Sequence, residues 1–225
     1  KHKDFLTKNY ININLVSVST KFISTTNEYS KKLIKEINSK KFDLIEIHNR
    51  PLIFFSLMNK VESSFCFYFH NDPLSMNGSK SISERLFILK NCKKIIFVSE
   101  WVKSRFFYDI DEKLSSKTEV VYPSVYKQKA IKKEKLILFV GRLNFSKGYD
   151  IFANAIIRIL DEFPKWKAIS LGDEDRRSIY INHVSHNELG FLNHKKTLNF
   201  LNKSEIVVVP SRWEEPFGRV SLEAS

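Results

Sequence analysis

The sequence predicts an α/β protein with two parallel sheets and helices on both faces of each sheet. Short apolar segments rich in Ile, Val and Phe alternate with segments whose apolar residues recur at helical spacing. Segment 206–209 is apolar throughout, which is typical of a strand buried in a parallel sheet. A charged stretch with few apolar residues, 127–135, separates two such alternating halves. We therefore expect an N-terminal domain at 1–126 and a C-terminal domain at 127–225.

Local signals mark the elements of the N-terminal domain. Ser99 occupies a position typical of a helix N-cap, and Pro51 suits the first position of a helix, where no amide hydrogen is needed. The predicted strands are 11–18, 43–47, 64–69, 94–98 and 119–122. One predicted helix begins at Asn27, and the others cover 52–59, 81–90 and 100–108.

The C-terminal domain repeats the alternation. The polar stretch 173–187 predicts irregular structure. Ligands of open parallel sheets bind beyond the carboxyl ends of the strands, so functional residues are expected in the loops that follow them. The predicted strands are 135–140, 166–171 and 205–209, and the predicted helices are 149–163, 193–203 and one that begins at Ser221 and is cut off by the end of the sequence.

The composition excludes several classes of protein. Apolar residues make up 43% of the sequence, which is enough for a packed core and is not typical of a disordered chain. No apolar run reaches the roughly 18 residues that a membrane span requires, and no apolar signal-peptide stretch follows the first four residues. We expect a cytoplasmic protein in which Cys66 and Cys92 are buried thiols.

The formal net charge is +12. The lysines are spread along the chain and are not clustered with aromatic residues, which favours lysines on solvated faces. Attraction to an anionic partner stays open as an alternative. Such a partner could be a nucleic acid, a phosphorylated glycan or a membrane, with peripheral contact at its inner face.

Segment 140–148, with the sequence VGRLNFSKG, follows a predicted strand. It brings Arg142 into a loop and places Lys147 and Gly148 at the start of the next helix. Two cations near a helix N-terminus favour a diphosphate, because the helix dipole and free amides add to their charge. Two solvated cations at a turn are the alternative. Neither GxxxxGK[ST] nor GxGxxG is present, which argues against a P-loop and a dinucleotide site.

Segment 210–218, with the sequence PSRWEEPFG, lies between a predicted strand and a predicted helix. Glu215 and Glu223 are eight positions apart, so a loop carboxylate and a helix carboxylate can face one ligand. A carboxylate can accept hydrogen bonds from two hydroxyls of a ribose or a hexose. Gly218 leaves backbone amides open to a phosphate. The alternative is a capped helix with ordinary acidic residues in its first turn.

Together the two segments resemble the retaining glycosyltransferase family 4, which has the GT-B fold. In the C-terminal half the matching stretches are VGRLNFSKG (140–148), NKSEIVVVPS (202–211) and PSRWEEPFGRVSLEAS (210–225), with the E-x7-E spacing from Glu215 to Glu223. In the N-terminal half, FHNDP (69–73) and KKIIFVSEWVKSRF (93–106) are similar to the acceptor-side domain.

The resemblance implies two Rossmann-like domains that face a cleft. The glycine-rich loop of the family has no counterpart before Ile11, and the sequence stops inside the helix that carries Glu223. Both domains are therefore expected to be truncated.

The implied activity is metal-independent transfer of a hexosyl group, with retention, from a nucleotide-sugar. The donor would be UDP- or GDP-linked, and the acceptor would be a glycan or a lipid-linked glycan, as in lipopolysaccharide or other cell-surface glycan synthesis. No metal and no cofactor other than the donor substrate is implied.

The same resemblance implies roles for individual residues of the C-terminal half. Arg142 and Lys147 would hold the donor diphosphate and neutralise the leaving nucleotide. Glu215 would contact the hydroxyls of the donor sugar, assisted by amides around Phe217 and Gly218.

Two further residues complete the implied site. Glu223 would bind the ribose. His70 would reach towards the transferred sugar and the phosphate, so that His70 and Glu215 are the catalytic candidates. A core histidine satisfied by the backbone is the alternative for His70.

Four other interpretations stay open on the sequence alone. They are an inactive fragment, a GT-B sugar-nucleotide epimerase, a basic nucleic-acid-binding protein and a metal-dependent GT-A transferase. The last would need an Asp-x-Asp site, which the letters of 173–175 and 109–111 match. A nucleic-acid function explains neither Glu215 nor Glu223, so we expect no nucleic acid as partner.

Overall fold

The computed structural model describes residues 25–129, 131–175 and 178–225. The predicted strand at 11–18 lies outside the described residues. The predicted α/β class is confirmed, because the described chain contains two four-stranded sheets in which all neighbouring strands are parallel.

The chain divides into two compact units between Val121 and Tyr122, here called unit 1 and unit 2. The domain limit after residue 126 stays a prediction. No helix in the described part of the chain combines the length and the apolar character needed to cross a membrane.

Unit 1 alternates strands and helices, and its strands lie in the order β1-β2-β3-β4. Short 3-10 helices at Pro73–Ser75 and Glu112–Lys117 connect some of them. The elements are α1 (Thr25–Lys40), β1 (Leu44–His48), α2 (Pro51–Leu57), β2 (Ser64–Phe69), α3 (Ile82–Asn91), β3 (Lys94–Phe97), α4 (Glu100–Phe106) and β4 (Thr118–Val120).

Phenylalanine dominates the core of unit 1. Alternate residues of β2, Phe67 and Phe69, are fully buried, as are Phe54, Phe97 and Phe106. The Phe69 and Phe97 rings lie 5.8 Å apart, and the Phe54 and Phe67 rings lie 6.1 Å apart edge to face. Such contacts add to the free energy gained by burying large apolar rings. Cys66 and Cys92 are buried, unbridged thiols, as predicted.

Side-chain hydrogen bonds hold the loop that follows β2. Asp72 caps the 3-10 helix by accepting from the Leu74 amide at 3.0 Å. Its carboxylate also forms a forked pair with Arg105 of α4, at 3.2 Å to Nε and 3.0 Å to Nη2. Ser99 accepts from the Val102 amide at 3.2 Å and begins α4, as predicted. The DP of FHNDP therefore anchors the turn, and this positions the preceding His70.

Unit 2 has the strand order β7-β6-β5-β8. Its elements are β5 (Glu134–Val140), a 3-10 helix at Phe145–Lys147, α5 (Tyr149–Glu162), β6 (Lys167–Leu171), β7 (His186–Glu188), α6 (His194–Lys203), β8 (Ser204–Val208) and α7 (Arg219–Ala224). Helix α7 begins two residues before the predicted Ser221.

Strand β7 corrects the prediction that 173–187 is irregular, since it pairs in parallel with β6. The strand has the polar sequence His-Asn-Glu and no apolar periodicity. Hydrogen bonding stabilises it, because the buried His186 lies 2.9 Å from Ser170 Oγ of β6. Propensity rules weigh apolar content, so a short polar strand of this kind escapes them.

The sheet of unit 2 is covered on both faces, as the sequence predicts. Buried side chains of α5 at helical spacing, including Phe152 and Ile156, pack on Ile137 and Phe139 of β5. Leu138, which points to the other face, packs with α6. The loops after β5 and β8 leave the same end of this covered sheet, because the two strands are parallel neighbours.

Candidate functional site

The loop after β5 is shaped by Asn144. Its Oδ1 accepts from the Lys147 amide at 3.2 Å and from Ser146 Oγ at 2.9 Å, which starts the short 3-10 helix. Leu143 is buried below the loop, while Arg142 is exposed. The sequence places Arg142 and Lys147 on one loop, and the structure does so too.

Gly148 lets this loop lie against the loop that follows β8. It adopts a left-handed conformation with φ of 68°, and a Cβ there would lie only 1.9 Å from the Pro210 carbonyl oxygen. Any other residue would push the two loops apart. The glycine of the segment VGRLNFSKG is therefore required by the approach of Pro210.

Lys147 and Glu215 join the two loops. Lys147 Nζ lies 2.7 Å from Glu215 Oε1, and both side chains are mostly buried, with 23% and 19% of their surfaces exposed. Ser211 donates a short hydrogen bond to the same carboxylate oxygen. Lys147 Nζ also lies 5.4 Å from the centre of the Trp213 ring. A cation and a carboxylate are thus held together at the carboxyl ends of β5 and β8.

The Glu215 carboxyl is ionised at neutral pH. Burial by itself would raise its pKa. Hydrogen bonds from Lys147 and Ser211, with the charge of Lys147, more than offset burial and lower the pKa below its ordinary value. Glu215 therefore offers an anionic acceptor whose second oxygen can bind a hydroxyl.

Arg212 is a residue of the site that the sequence analysis did not single out. Its guanidinium forms a forked pair with Asp150 in the first turn of α5 and donates to the Phe145 carbonyl at 3.1 Å. Its amide donates to the Ser146 carbonyl at 3.0 Å. Arg212 therefore links the loop after β8 to the loop after β5. The position of Arg212 in the segment PSRWEEPFG was the signal that could have identified it. Its partner, Asp150, is distant in sequence, so the contact itself could not be predicted.

Asp150 changes the expectation of a phosphate site at the start of α5. The hydrogen bond from Arg212 is the main cause that lowers its pKa, and the amides of Asp150 and Ile151 contribute. These two amides in the first turn of α5 already bind the Asp150 carboxylate. The diphosphate expectation in this loop therefore rests on Arg142 and Lys147.

A pocket of about 240 Å³ opens beside Arg142, at the carboxyl ends of β5 and β6. Asp173 and Phe191 contribute to its wall, together with Thr197 of α6. The Arg142 side chain has no hydrogen bond or ion pair with any other described residue. A ligand in this pocket would therefore meet a cation without an internal partner.

The remaining predicted residues of unit 2 lie around α7. Phe217 packs on Tyr122, with ring centres 6.1 Å apart. Gly218 has a φ of 74° and precedes α7, which has no side-chain cap. Glu223 is nearly buried, and its Oε1 accepts from Arg219 at 2.9 Å and lies 3.1 Å from His194 Nε2. Its Oε2 has no partner among the described residues.

His70 belongs to unit 1, at the end of β2. Its amide donates to Asn49 Oδ1 at 2.8 Å, and its ring Nε2 lies 2.7 Å from His48 Nδ1. Burial lowers the pKa of His70, the neighbouring His48 lowers it further, and Glu46 partly offsets this. The side chain is therefore held at a strand end and is neutral near pH 7.

The described part of the chain contains no group of three His, Cys, Asp or Glu side chains arranged to hold a metal ion. Within the 173–175 stretch, Glu174 Oε2 accepts from Asn144 Nδ2 at 2.7 Å. That carboxylate supports the loop after β5.

The chain is similar in sequence to known proteins. YtcC of Bacillus subtilis, named as a candidate glycosyltransferase, is 27% identical over 87% of this chain and 56% of its own length. An uncharacterised 42.6 kDa protein in the cps region of Klebsiella pneumoniae is 27% identical over 87% of the chain and 59% of its own length. The chain thus spans less than two thirds of these relatives.

The structure of Anabaena HepE with UDP and glucose matches the fold. Its TM-score is 0.71 at 17% identity, over 100% of this chain and 67% of that one. The pattern of the family called glycosyl transferases group 1 matches residues 124–225, which include both loops of the site. The C-terminal part of the chain, residues 124–225, therefore matches the glycosyl transferases group 1 family, and the likeness to HepE concerns the fold.

Proposed function

We propose that the chain is the donor-binding part and a portion of the acceptor-binding part of a nucleotide-sugar-dependent glycosyltransferase. The observation that carries the proposal is the 2.7 Å contact between Lys147 and Glu215 across two loops at the carboxyl ends of β5 and β8. A cation that can bind phosphate is thereby adjacent to a carboxylate that can bind sugar hydroxyls. A nucleotide-sugar carries a phosphate directly bonded to a sugar, so it matches this arrangement.

Lys147 and Arg142 bind the diphosphate of the donor. Breaking the bond between sugar and phosphate builds negative charge on the leaving nucleotide, and fixed cations stabilise that charge without reorganising. Lys147 exchanges part of its contact with Glu215 for a phosphate oxygen. Arg142, whose side chain has no internal partner in the described chain, adds the second cation.

Glu215 accepts hydrogen bonds from the hydroxyls of the transferred sugar. Its lowered pKa keeps it ionised, and Ser211 and Lys147 fix the orientation of one oxygen. The amides around Phe217 and Gly218 assist at the same sugar. Glu223 Oε2 accepts from the ribose, and the pocket of about 240 Å³ beside Arg142 receives the nucleoside end.

His70 contacts the transferred sugar and acts with Glu215 as a catalytic residue. We infer that transfer retains configuration and is metal-independent, with a donor phosphate oxygen taking the proton of the acceptor hydroxyl. The proton then leaves with the nucleotide product. Retention is checked by following the anomeric signal of the product by NMR during the first turnovers.

UDP-glucose is the first donor to test, because the similar fold of HepE has been determined with UDP and glucose. A cell-surface glycan or a lipid-linked precursor of one is the proposed acceptor class. Support comes from the relative in the cps region of Klebsiella pneumoniae.

Calorimetric titration with UDP-glucose and GDP-glucose tests the proposal. Each charge-assisted contact is worth about 1.5–3 kcal/mol, so Arg142→Ala with Lys147→Ala should weaken donor binding at least ~100-fold. A matched control is Arg158→Ala with Lys165→Ala, which removes two exposed cations of unit 2 outside both loops. Equal affinity in the two double variants would refute the proposed donor site.

A further inference from the structure

Two histidine rings meet edge to edge at the carboxyl ends of β1 and β2. His48 Nδ1 lies 2.7 Å from His70 Nε2, and the ring centres are 5.0 Å apart with planes inclined by 14°. A separation this large with a ring-nitrogen contact this short means that the rings share a plane and are joined through their nitrogens. The contact is therefore a directional N–H···N hydrogen bond.

Tyr68 forms the platform below both rings. Its ring lies 4.4 Å from that of His70 at 6°, and 5.3 Å from that of His48 at 9°. The Tyr68 hydroxyl donates to the Val121 carbonyl at 3.1 Å, which holds the platform in place. Parallel pairing in which His48 is the partner of Tyr68 produces the arrangement.

Glu46 sets the direction of the hydrogen bond. Its Oε1 lies 2.9 Å from His48 Nε2, and an ionised carboxylate can only accept. Nε2 of His48 must therefore carry a proton. A neutral His48 then has a lone pair on Nδ1, so the proton between the two rings belongs to His70 Nε2. Nδ1 of His70 is left as an acceptor.

We propose that Glu46 and His48 are positioning residues that control the tautomer of His70 as a proton relay. The relay rests on the proposed function, since Nδ1 of His70 is the nitrogen left to face the sugar hydroxyl. With no added proton, Nδ1 accepts a hydrogen bond from that hydroxyl. One added proton changes Nδ1 of His70 from an acceptor to a donor, while the hydrogen bond between the two rings persists.

The proton balance of the reversal is simple. A proton bound at His70 Nδ1 is matched by transfer of the Nε2 proton of His70 to His48 Nδ1. The positive charge then resides on His48, beside the carboxylate of Glu46, and His70 stays neutral with Nδ1–H as a donor.

The surroundings of His70 favour this distribution of charge. Among the described residues, the charges that act on the pKa of His70 are those of His48 and Glu46, while Tyr68 is its platform and Asn49 binds its amide. Burial opposes a charge on His70. His48, by contrast, is about half exposed and touches Glu46.

Two-bond ¹H–¹⁵N correlation spectra of the ¹⁵N-histidine-labelled chain, from about pH 8 to about pH 5, test the relay without any donor. The expected sequence begins with Nε2–H on both rings. It proceeds to a doubly protonated His48 beside a neutral His70 that carries Nδ1–H. Direct passage of His70 from the neutral Nε2–H form to the doubly protonated form would overturn the proposal.

Glu46→Gln removes the charge that favours a proton on His48. We expect the reversal to move to lower pH, because the neutral amide no longer stabilises the positive charge. Glu119→Gln is the matched control, because Glu119 pairs with Lys94 in the same sheet and does not contact either histidine. An equal midpoint in Glu46→Gln and the wild type would also count against the relay.

His48→Phe keeps a ring over Tyr68 and abolishes the reversal, and circular dichroism checks its fold. Donor binding separates the two hypotheses. If the tautomer reversal occurs but UDP-glucose and GDP-glucose do not bind, the proposed function fails and the relay stands. If either donor binds but no reversal occurs, the relay fails alone.

Discussion

Lys147 and Glu215 are 68 residues apart in sequence, and their charged groups lie 2.7 Å apart. The contact depends on three features of the two loops: the turn stabilised by Asn144, the close approach at Gly148 and the anchor formed by Arg212. The glycine and the arginine can be altered separately, and each alteration has its own expected result.

Gly148→Ala should destabilise unit 2 more than Gly190→Ala. Both glycines have positive φ, 68° and 64°. An alanine at either position should therefore lower the free energy of unfolding by a similar amount, about 1–2 kcal/mol, through backbone strain. Only at position 148 does the new Cβ meet a carbonyl oxygen, whereas position 190 has open space. We expect a further loss of about 2 kcal/mol in the free energy of unfolding, measured with urea. Equal losses would show that the Pro210 approach is not required.

Glu215→Gln should change how stability depends on pH. The folded pKa of Glu215 is lowered, so its ionised form stabilises the fold above the unfolded pKa, and this contribution disappears as pH falls through the folded value. The wild type should therefore exceed Glu215→Gln in stability near neutral pH, by about 1 kcal/mol. The gap should close on acidification.

Glu214→Gln is the control for that experiment, because the neighbouring Glu214 is exposed and makes no ion pair in the described chain. Its difference from the wild type should be small at every pH. A gap that persists unchanged in acid for Glu215→Gln would contradict an ionised Glu215 at this site. Thermal melts across the pH series provide the measurement.

Arg212→Lys should loosen the loop after β8 without unfolding the sheet. A lysine keeps the charge but cannot make the forked contact with Asp150 or the added contact with the Phe145 carbonyl. The amide of Arg212, which donates to Ser146, should exchange with deuterium faster. Amides of β5 should keep their rates, and a general increase in exchange would instead indicate global destabilisation.

Cys92 should resist alkylation in the folded protein. Burial, with a small contribution from Cys66, raises its pKa to about 12, and the opposing effect of Lys117 is weaker. The reactive thiolate is therefore scarce at pH values near 8. Mass spectrometry should show no iodoacetamide adduct at Cys92 in buffer and complete modification in urea. Rapid labelling in buffer would mean that the core around β2 opens easily.

Much of the fold follows from local pattern. The strand predicted at 64–69 is β2 with both limits correct, because a continuous apolar segment is bounded by polar residues on each side. The cap at Ser99 and the first helical position of Pro51 are also confirmed. Strand β7 is missed, since its stability comes from pairing and from the His186 contact with Ser170, neither of which has a local signal.

The candidate site is predictable only in part, for a related reason. Residue type and position after a strand point to Arg142, Lys147 and Glu215. They do not reveal that Lys147 contacts Glu215, because that depends on how closely two loops approach. The bond between His48 and His70 needs the register of β1 against β2, which the sequence does not define.

Trp213 lies within 5.4 Å of Lys147 Nζ, and 44% of its surface is exposed. Indole emission responds to nearby charge and to solvent, so any movement of the Lys147 ammonium should alter the fluorescence of this ring. Trp213→Phe would identify its contribution against those of Trp101 and Trp166. The molecule thus carries a built-in optical reporter beside its cation, and ligand screening needs no added dye.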